Sequence, residues 1–279
     1  MQRDISFQRI LLATDCSSNS EAAVDATIEL ARFTGTVVRV AHICTTETGG
    51  EAETLLAGTV ERLAAAGVMA DREVFQADAG HVAAAISTVA QAFKADLVVL
   101  GSRGLSDWRS LFKHSVSHQV LTALDCPVLI VRTRPGGDIA STRRIMVAVA
   151  GGDDIAPAVR AASAVARARR CSVLAVHVAQ AIVSPPGLAY FESDEETQRT
   201  IERTVQELRG AGVDAHGVVA PSGPVAATLA RVAEEWNADL IVTGSSRMGD
   251  AASLVLGSVS HELLHTSDVP VLIAERVRP

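Results

Sequence analysis

The sequence predicts an α/β fold built from two tandem, doubly wound domains, each with a five-stranded parallel sheet. Apolar runs of strand length alternate with longer segments of helical period, which is the pattern of strands joined by helical crossovers. Hydrophobic residues make up 48% of the 279 residues but aromatic residues only 3%, so small aliphatic side chains must build the core. Such cores are typical of helices packed on buried parallel strands. The third observation is an internal repeat.

The second half of the chain repeats the first, with an offset of 145 − 10 = 135 near its start and 238 − 95 = 143 later. The recurring segments are residues 10–15 at 145–150, residues 95–104 at 238–247, and residues 115–131 at 258–274. The eight additional residues (143 − 135) fall in or near 184–196, where proline and acidic residues indicate a loop or a helix entry. We expect one domain at residues 1–135 and another at 143–279, joined by the polar segment 132–142.

Within the first copy, nine elements follow one another along the chain. The predicted strands lie near residues 9–14, 36–43, 72–77, 96–101 and 127–132. The predicted helices lie near residues 19–33, 51–66, 80–93 and 115–123. In open sheets of this kind, ligands bind at the carboxyl ends of the strands, where the strand order reverses. The residues that follow the strands are therefore the candidates for a binding site.

Composition and charge exclude several classes of protein. The net charge of −7 and the pI near 5.6 argue against a nucleic-acid partner, which needs clustered Lys and Arg. No apolar run reaches the ~18 residues that span a bilayer, and the first ten residues contain no signal-peptide core. We therefore expect a cytoplasmic protein without a membrane partner.

The fourth predicted strand leads into a turn of small residues that suits a phosphate. Gly101-Ser102-Arg103-Gly104 follows this strand, and His114-Ser-Val-Ser117 opens the next helix. Backbone N–H groups in such a turn point at an anion, and the helix dipole adds partial positive charge. Asp15, after the first strand, places a carboxylate at the same edge of the sheet, where it can hold ribose hydroxyls. The alternative role for Asp15 is to cap the helix that follows it.

These residues together resemble the universal stress protein family. The resemblance rests on Asp after the first strand, His-aliphatic at the end of the second, and a glycine-rich turn after the fourth. It covers both copies and implies a Rossmann-like fold of the adenine nucleotide alpha hydrolase type. Some members bind ATP through the glycine motif, and others lack the motif and do not. The last strands of two domains typically pair, here residues 127–131 with 270–274, which gives a pseudo-dimer within one chain and leaves a homodimer open.

The resemblance also assigns candidate binding residues for ATP, with or without Mg. Adenine and ribose contacts fall on Ala13, Thr14, Asp15 and Ile43 in the first copy, and on Val178 in the second. Phosphate contacts in the first copy fall on Gly101, Arg103, Gly104, His114, Ser115, Val116 and Ser117. In the second copy they fall on Gly244, Arg247, Gly257, Ser258, Val259 and Ser260.

Both copies depart from the family's pattern. His114 stands in place of the third glycine, where an imidazole either blocks a phosphate or donates a hydrogen bond to it. Arg247 replaces the second glycine of the second copy and is either a phosphate clamp or a solvated side chain. Ala150 replaces the carboxylate, which removes a charge-assisted contact worth about 1.5–3 kcal/mol. The first copy is therefore the expected ATP site, although the second has the better helix start.

Two further patterns have simpler explanations. His261-Glu-Leu-Leu-His265 spells HExxH, but only fourteen residues remain after it, so we expect a partly exposed helix and no zinc or other metal centre. His42 and His177 occupy equivalent strand ends and are expected to be buried and hydrogen-bonded.

No nucleophile–base array and no Walker lysine follows a predicted strand, so we expect no catalytic residues and at most slow ATP hydrolysis. The leading hypothesis is a stress-response regulatory protein that binds ATP in one or both domains. The alternative is a nucleotide-independent scaffold with two degenerate sites and protein partners that the sequence does not identify. The third hypothesis is an ATP-hydrolysing or pyrophosphatase-type enzyme of the related fold.

Overall fold

The computed structural model of the protein describes residues 7–17, 20–32, 35–45, 49–102, 116–124, 126–132, 143–150, 155–184, 187–190, 193–244 and 258–274. These residues form two compact units that correspond to the two copies of the repeat. The predicted domain boundaries fall within residues 133–142, outside the described residues, and stay a prediction.

The described residues of the first half include five parallel strands and four α-helices. The strands are β1 (Arg9–Ala13), β2 (Val37–Cys44), β3 (Met69–Gln76), β4 (Leu97–Ser102) and β5 (Val128–Arg132). The helices are α1 (Glu21–Ala31), α2 (Gly49–Ala65), α3 (Val82–Phe93) and α4 (Val116–Ala123). The strand order is β3-β2-β1-β4-β5, and every pair of neighbours is parallel. Helices cover both faces of such a sheet, which is why Ile10, Leu11 and Leu12 are all completely buried.

The second half repeats this arrangement. Its sheet strands are β6 (Arg144–Val149), β7 (Ser172–Val178), β10 (Asp214–Ala220), β11 (Leu240–Gly244) and β12 (Val271–Ala274), in the order β10-β7-β6-β11-β12. Its helices are α5 (Ala156–Arg169), α6 (Asp194–Gly210), α7 (Val225–Glu235) and α8 (Ser258–Thr266). All described neighbour pairs are again parallel. The predicted fold class is confirmed for both halves.

The predicted element positions hold to within a few residues. The largest shift in the first half is β3, which begins at Met69 and not near residue 72. Gly67 ends α2 with a φ of +79°, and the Val68 N–H then bonds back to the Leu63 carbonyl oxygen. Because the chain turns in this compact way, pairing with β2 starts already at Met69 opposite Val37.

The connection between β7 and α6 differs from the sequence-based expectation. The sequence predicts a loop or a helix entry at residues 184–196, but the segment contains a strand, β9 (Gly187–Tyr190), which pairs antiparallel with β8 (Ala181–Ser184) just before it. The helix entry itself is confirmed. Ser193 and Glu196 form a capping box in which the Ser193 side chain accepts from the Glu196 N–H and the Glu196 carboxylate accepts from the Ser193 N–H.

A half-buried carboxylate holds the amino end of each sheet. Asp96, just before β4, accepts hydrogen bonds from the Gln8 and Arg9 N–H groups at 2.7 and 3.0 Å. Asp239, just before β11, accepts from the Arg143 and Arg144 N–H groups at 2.9 and 3.1 Å, both at its Oδ2 atom, whereas Asp96 uses one oxygen for each amide. Burial raises the pKa of the Asp96 carboxyl, although the two amides favour its charged form. Each pair of hydrogen bonds holds the start of β1 or β6 against the neighbouring strand. This sets the register of the two strands, and so also the position of their carboxyl ends.

Candidate functional site

The strand order of each sheet reverses beside its central strand. In the first half, β1 pairs with β2 on one side and β4 on the other, and Ala13 lies opposite both Ala41 and Leu100. The second half has the same reversal at β6, between β7 and β11. The carboxyl ends of these strands are the expected position of a ligand.

The chain bends sharply after β1. The Thr14 N–H donates to the Ala41 carbonyl oxygen at 3.0 Å, which extends the pairing by one residue. The Thr14 hydroxyl oxygen then accepts from the Cys16 N–H at 2.9 Å, and Cys16 adopts a left-handed φ of +56°. Because Thr14 is buried, this turn is anchored to the core, and its position is set by the sheet.

A buried histidine supports the same turn. The His42 Nδ1 atom lies 2.9 Å from the Thr14 carbonyl oxygen, and since a carbonyl can only accept, Nδ1 carries the proton. His177 makes the equivalent contact to the Val149 carbonyl oxygen, also at 2.9 Å. Both imidazoles are buried, so the expectation of two buried, hydrogen-bonded histidines is confirmed. Sequence reasoning treated them as core residues and missed their role in shaping this edge; the signal was their recurrence at the strand-end offset.

Asp15 is exposed at the tip of this turn. One carboxylate oxygen accepts from the Ser17 N–H at 3.0 Å and from the Ser17 hydroxyl at 2.7 Å. Helix α1 begins at Glu21, with Ser20 as its N-cap. Through its bonds to Ser17 the Asp15 carboxylate stabilises a local turn at the carboxyl edge of the sheet, and the alternative role of Asp15 as a helix cap stays a prediction.

The second half carries a different set of groups at this edge. Ala150 occupies the place of Asp15 and is exposed. Gly244 ends β11, and a Cβ built there meets no atom within 4 Å, so packing does not explain the glycine. The buried Ser260 hydroxyl donates to the Gly244 carbonyl oxygen at 2.9 Å and lies 3.1 Å from the Thr243 hydroxyl. This link ties the start of α8 to the end of β11.

The Thr243–Ser260 pair was not predicted from the sequence. Thr243 is a buried polar residue in an otherwise apolar strand, and the first copy has Leu100 at this position. That difference between the copies was the available signal. Of the neighbouring candidates, Ser258 is exposed at the start of α8 and Val259 is half-buried.

The remaining predicted residues divide into two groups. In the first half, Ala13 is buried and Ile43 and Gly101 are half-buried at strand ends, while Val116 is exposed at the start of α4. Val178 is buried at the end of β7. The candidates outside the described residues are Arg103, Gly104, His114, Ser115, Arg247 and Gly257, and Ser117 is described only as a position in α4.

Two features are absent from the described residues: a metal-binding cluster and a membrane-spanning helix. No cluster of three or more His, Cys, Asp or Glu side chains that could hold a metal ion occurs in the part of the chain that the structure describes. No described helix has the length and apolar character needed to cross a membrane.

Comparison with known proteins identifies the class of protein. The model of the universal stress protein family matches residues 6–132 and 141–275, which together are most of the sequence. The chain belongs to the universal stress protein family, as its fold and its repeat predict.

Individual relatives agree with this assignment. A universal stress protein of Mycobacterium tuberculosis is 29% identical over 191 residues, which are 66% of this chain and 63% of that relative. The chain thus matches less than two thirds of that relative's own length. A universal stress protein of Thermus aquaticus is 30% identical over 135 residues, which are 47% of this chain and 97% of the relative.

A solved structure has the same fold over the full chain. The crystal structure of a universal stress protein from Archaeoglobus fulgidus covers 98% of this chain and 100% of its own, with a TM-score of 0.77 at 21% identity. The tandem arrangement of two such folds in one chain is therefore a known architecture.

Proposed function

We propose that this stress-response protein is a regulatory module that binds an adenine nucleotide, preferably ATP, at the carboxyl edge of its first half. The observation that carries the proposal is the exposed Asp15 carboxylate, held at the point where the strand order reverses. Its expected role is to accept hydrogen bonds from the two ribose hydroxyls. The resemblance to ATP-binding members of the family supplies the adenine nucleotide as the ligand class.

The turn that carries Asp15 is suited to this role because it is rigid. Thr14 bonds to β2 through its N–H and to His42 through its carbonyl oxygen, while Ser17 donates twice to the carboxylate. A carboxylate fixed before the ligand arrives loses little conformational entropy on binding. This favours a specific contact over a chance surface charge.

The phosphate groups would lie toward β4 and α4. Gly101 is the second-to-last residue of β4, and α4 begins at Val116, so the amino-terminal end of that helix is expected at the same edge of the sheet as Asp15. Backbone N–H groups and the helix dipole favour an anion there. Any Mg²⁺ would be carried mainly by the phosphate oxygens, as is usual for nucleotide-bound magnesium.

We propose that the second half binds the same ligand more weakly. Gly244 leaves open space at the end of β11, and Ser258 is exposed at the start of α8, so the phosphate end is retained. Ala150 supplies no acceptor for ribose hydroxyls, and the Ser260 hydroxyl donates inward to the Gly244 carbonyl. A missing charge-assisted hydrogen bond costs about 1.5–3 kcal/mol, which is tenfold or more in affinity.

Calorimetric titration of the nucleotide-stripped chain with ATP tests the proposal. We expect one dominant site, and Asp15→Ala should weaken it at least tenfold. Asp214→Ala is the matched control, because it removes an equally exposed carboxylate at the amino end of β10. Ala150→Asp should strengthen binding by the second half.

The outcomes separate the competing functions. No saturable binding by the wild type at millimolar ATP would favour the nucleotide-independent scaffold. Equal binding by wild type and Asp15→Ala would remove Asp15 from the site. Steady phosphate or pyrophosphate release at ordinary enzyme rates, above roughly 1 per second, would favour an ATP-using enzyme.

A further inference from the structure

Helix α8 brings two histidines together on one of its faces. His261 and His265 are four residues apart, and their ring centroids lie 5.0 Å from each other with the ring planes inclined at 56°. Both side chains are half-buried, so they are accessible from solvent. Residues at this spacing are neighbours on the surface of a helix.

The distance between the rings matches that of two imidazoles on one metal ion. A ring nitrogen lies about 2.0–2.1 Å from a bound Zn²⁺, which places the ring centroid about 3.2 Å from the ion. Two such rings at ~90° to each other about the ion have centroids about 4.5 Å apart, and at ~109° about 5.2 Å apart. The observed 5.0 Å falls between the two, so the separation of the rings is compatible with one shared ion.

We propose that His261 and His265 form a chelating site for a divalent transition-metal ion of the type that prefers imidazole, namely Cu²⁺, Ni²⁺ or Zn²⁺. Within the described residues these two imidazoles are joined by no third His, Cys, Asp or Glu in a metal-binding cluster, so the proposal assigns two protein ligands to the ion. Affinity should follow the order Cu²⁺ above Ni²⁺ and Zn²⁺, as for most nitrogen ligands. With two protein ligands, the proposed site has one fewer than the three of a typical catalytic zinc site.

The repeat provides an internal comparison. The corresponding positions in the first half are His118 and Thr122, so the sequence of α4 provides one imidazole where α8 provides two. One imidazole cannot chelate, and the first half is therefore expected to lack this site. The metal site is thus a property of the second half alone, and it does not depend on nucleotide binding.

Metal binding should stabilise α8. An ion held by residues four apart links two successive turns of the helix, and a ligand that binds only the folded helix shifts the equilibrium toward it. Because α8 also begins at the proposed phosphate end of the second half, the bound ion would stiffen that helix start.

The test is titration of the full chain, with any affinity tag removed, by Cu²⁺ and separately by Zn²⁺. We expect one equivalent of bound metal, and at least a tenfold loss of affinity in both His265→Thr and His261→Gln. His265→Thr reproduces the first half's residue pair. His216→Gln is the control, because His216 is an exposed histidine of the same half, and its removal should leave the affinity within about threefold, a change of less than 1 kcal/mol.

Electron paramagnetic resonance of the Cu²⁺ form gives a second readout. The wild type should show two coordinating imidazole nitrogens, and His265→Thr only one. Circular dichroism of each variant confirms that it is folded. The proposal is overturned if the wild type binds no metal at millimolar concentration, if either α8 variant keeps its affinity, or if His216→Gln removes the site.

Discussion

Gly217→Ala should destabilise the second half, because the space for one methyl group is already filled. A Cβ at Gly217 in β10 would lie 2.4 Å from Ile201 Cγ2 and 2.9 Å from Val205 Cγ2, both on α6. Ile201 is buried and β-branched, and such side chains have one strongly preferred rotamer in a helix, so it cannot turn aside at low cost. Inserting a methyl group into a packed core costs about 1–3 kcal/mol.

A smaller effect opposes this cost. Replacing glycine reduces the entropy of the unfolded chain and stabilises by about 0.4–1 kcal/mol. The net loss in the free energy of unfolding should therefore be about 1.3 kcal/mol from the midpoints of the two ranges, and at most about 2.6 kcal/mol. Urea denaturation followed by circular dichroism and tryptophan fluorescence measures it, and Trp236 provides a signal within the second half.

Gly58→Ala is the matched control, with the opposite sign. Gly58 lies in the middle of α2, is exposed, and a Cβ there meets no atom within 4 Å. Because alanine favours the helix over glycine by about 1 kcal/mol, this variant should be more stable than the wild type. In a double-mutant cycle, Ile201→Ala should relieve the Gly217→Ala clash, giving a coupling of at least ~1 kcal/mol. A stable Gly217→Ala protein, or zero coupling, would refute the packing argument.

Three other predictions concern single hydrogen-bonded groups. Asp96→Asn replaces one of the two carboxylate oxygens that accept from the Gln8 and Arg9 N–H groups, so one N–H loses its acceptor, which should cost about 1–3 kcal/mol, measured by urea denaturation. Hydrogen bonds from the Ser193 N–H and hydroxyl lower the pKa of Glu196. The stability that the capping box adds to α6 is therefore complete above the ordinary pKa of a glutamate and is lost as the pH falls through the lowered pKa. Amide hydrogen exchange of α6 at a series of pH values measures this loss. His42→Leu removes the donor to the Thr14 carbonyl and should reduce both stability and ATP affinity, whereas unchanged ATP affinity would separate His42 from the site.

The sequence was sufficient to predict the helices and strands because buried apolar residues recur along the chain in a different pattern for each type of element. Central strands such as β1 are covered on both faces and appear as continuous apolar runs, while helices show their own period. The ribbon of β8 and β9 was not predicted, because it shows no such period. Its strands have only four residues each and are too short for any period to distinguish them from a loop.

The candidate site was predictable in part. Asp15 follows β1 and Gly101 lies near the end of β4, two strands that the pattern identified, and parallel strands that share a sheet end at a common edge. The role of Asp15 within its turn was not predictable, since a carboxylate before a helix suits both a cap and a loop. The bend after β1 brings the Ser17 N–H and hydroxyl to the Asp15 carboxylate, and the sequence does not show this bend.

The sequence alone determines three features: the repeat, the alternation of strands and helices, and the position of the carboxylate after the first strand. Each depends only on residues that are close together along the chain. Other features join residues far apart in sequence. The hydrogen bonds of Asp96 and Asp239, the His42 bond to Thr14 and the contact of Gly217 with Ile201 exist only once strands and helices are packed. The histidine pair of α8 depends on both. The spacing of four residues predicts that both rings lie on one face of a helix, and the folded helix sets the 5.0 Å between their centroids on which the proposed metal site rests.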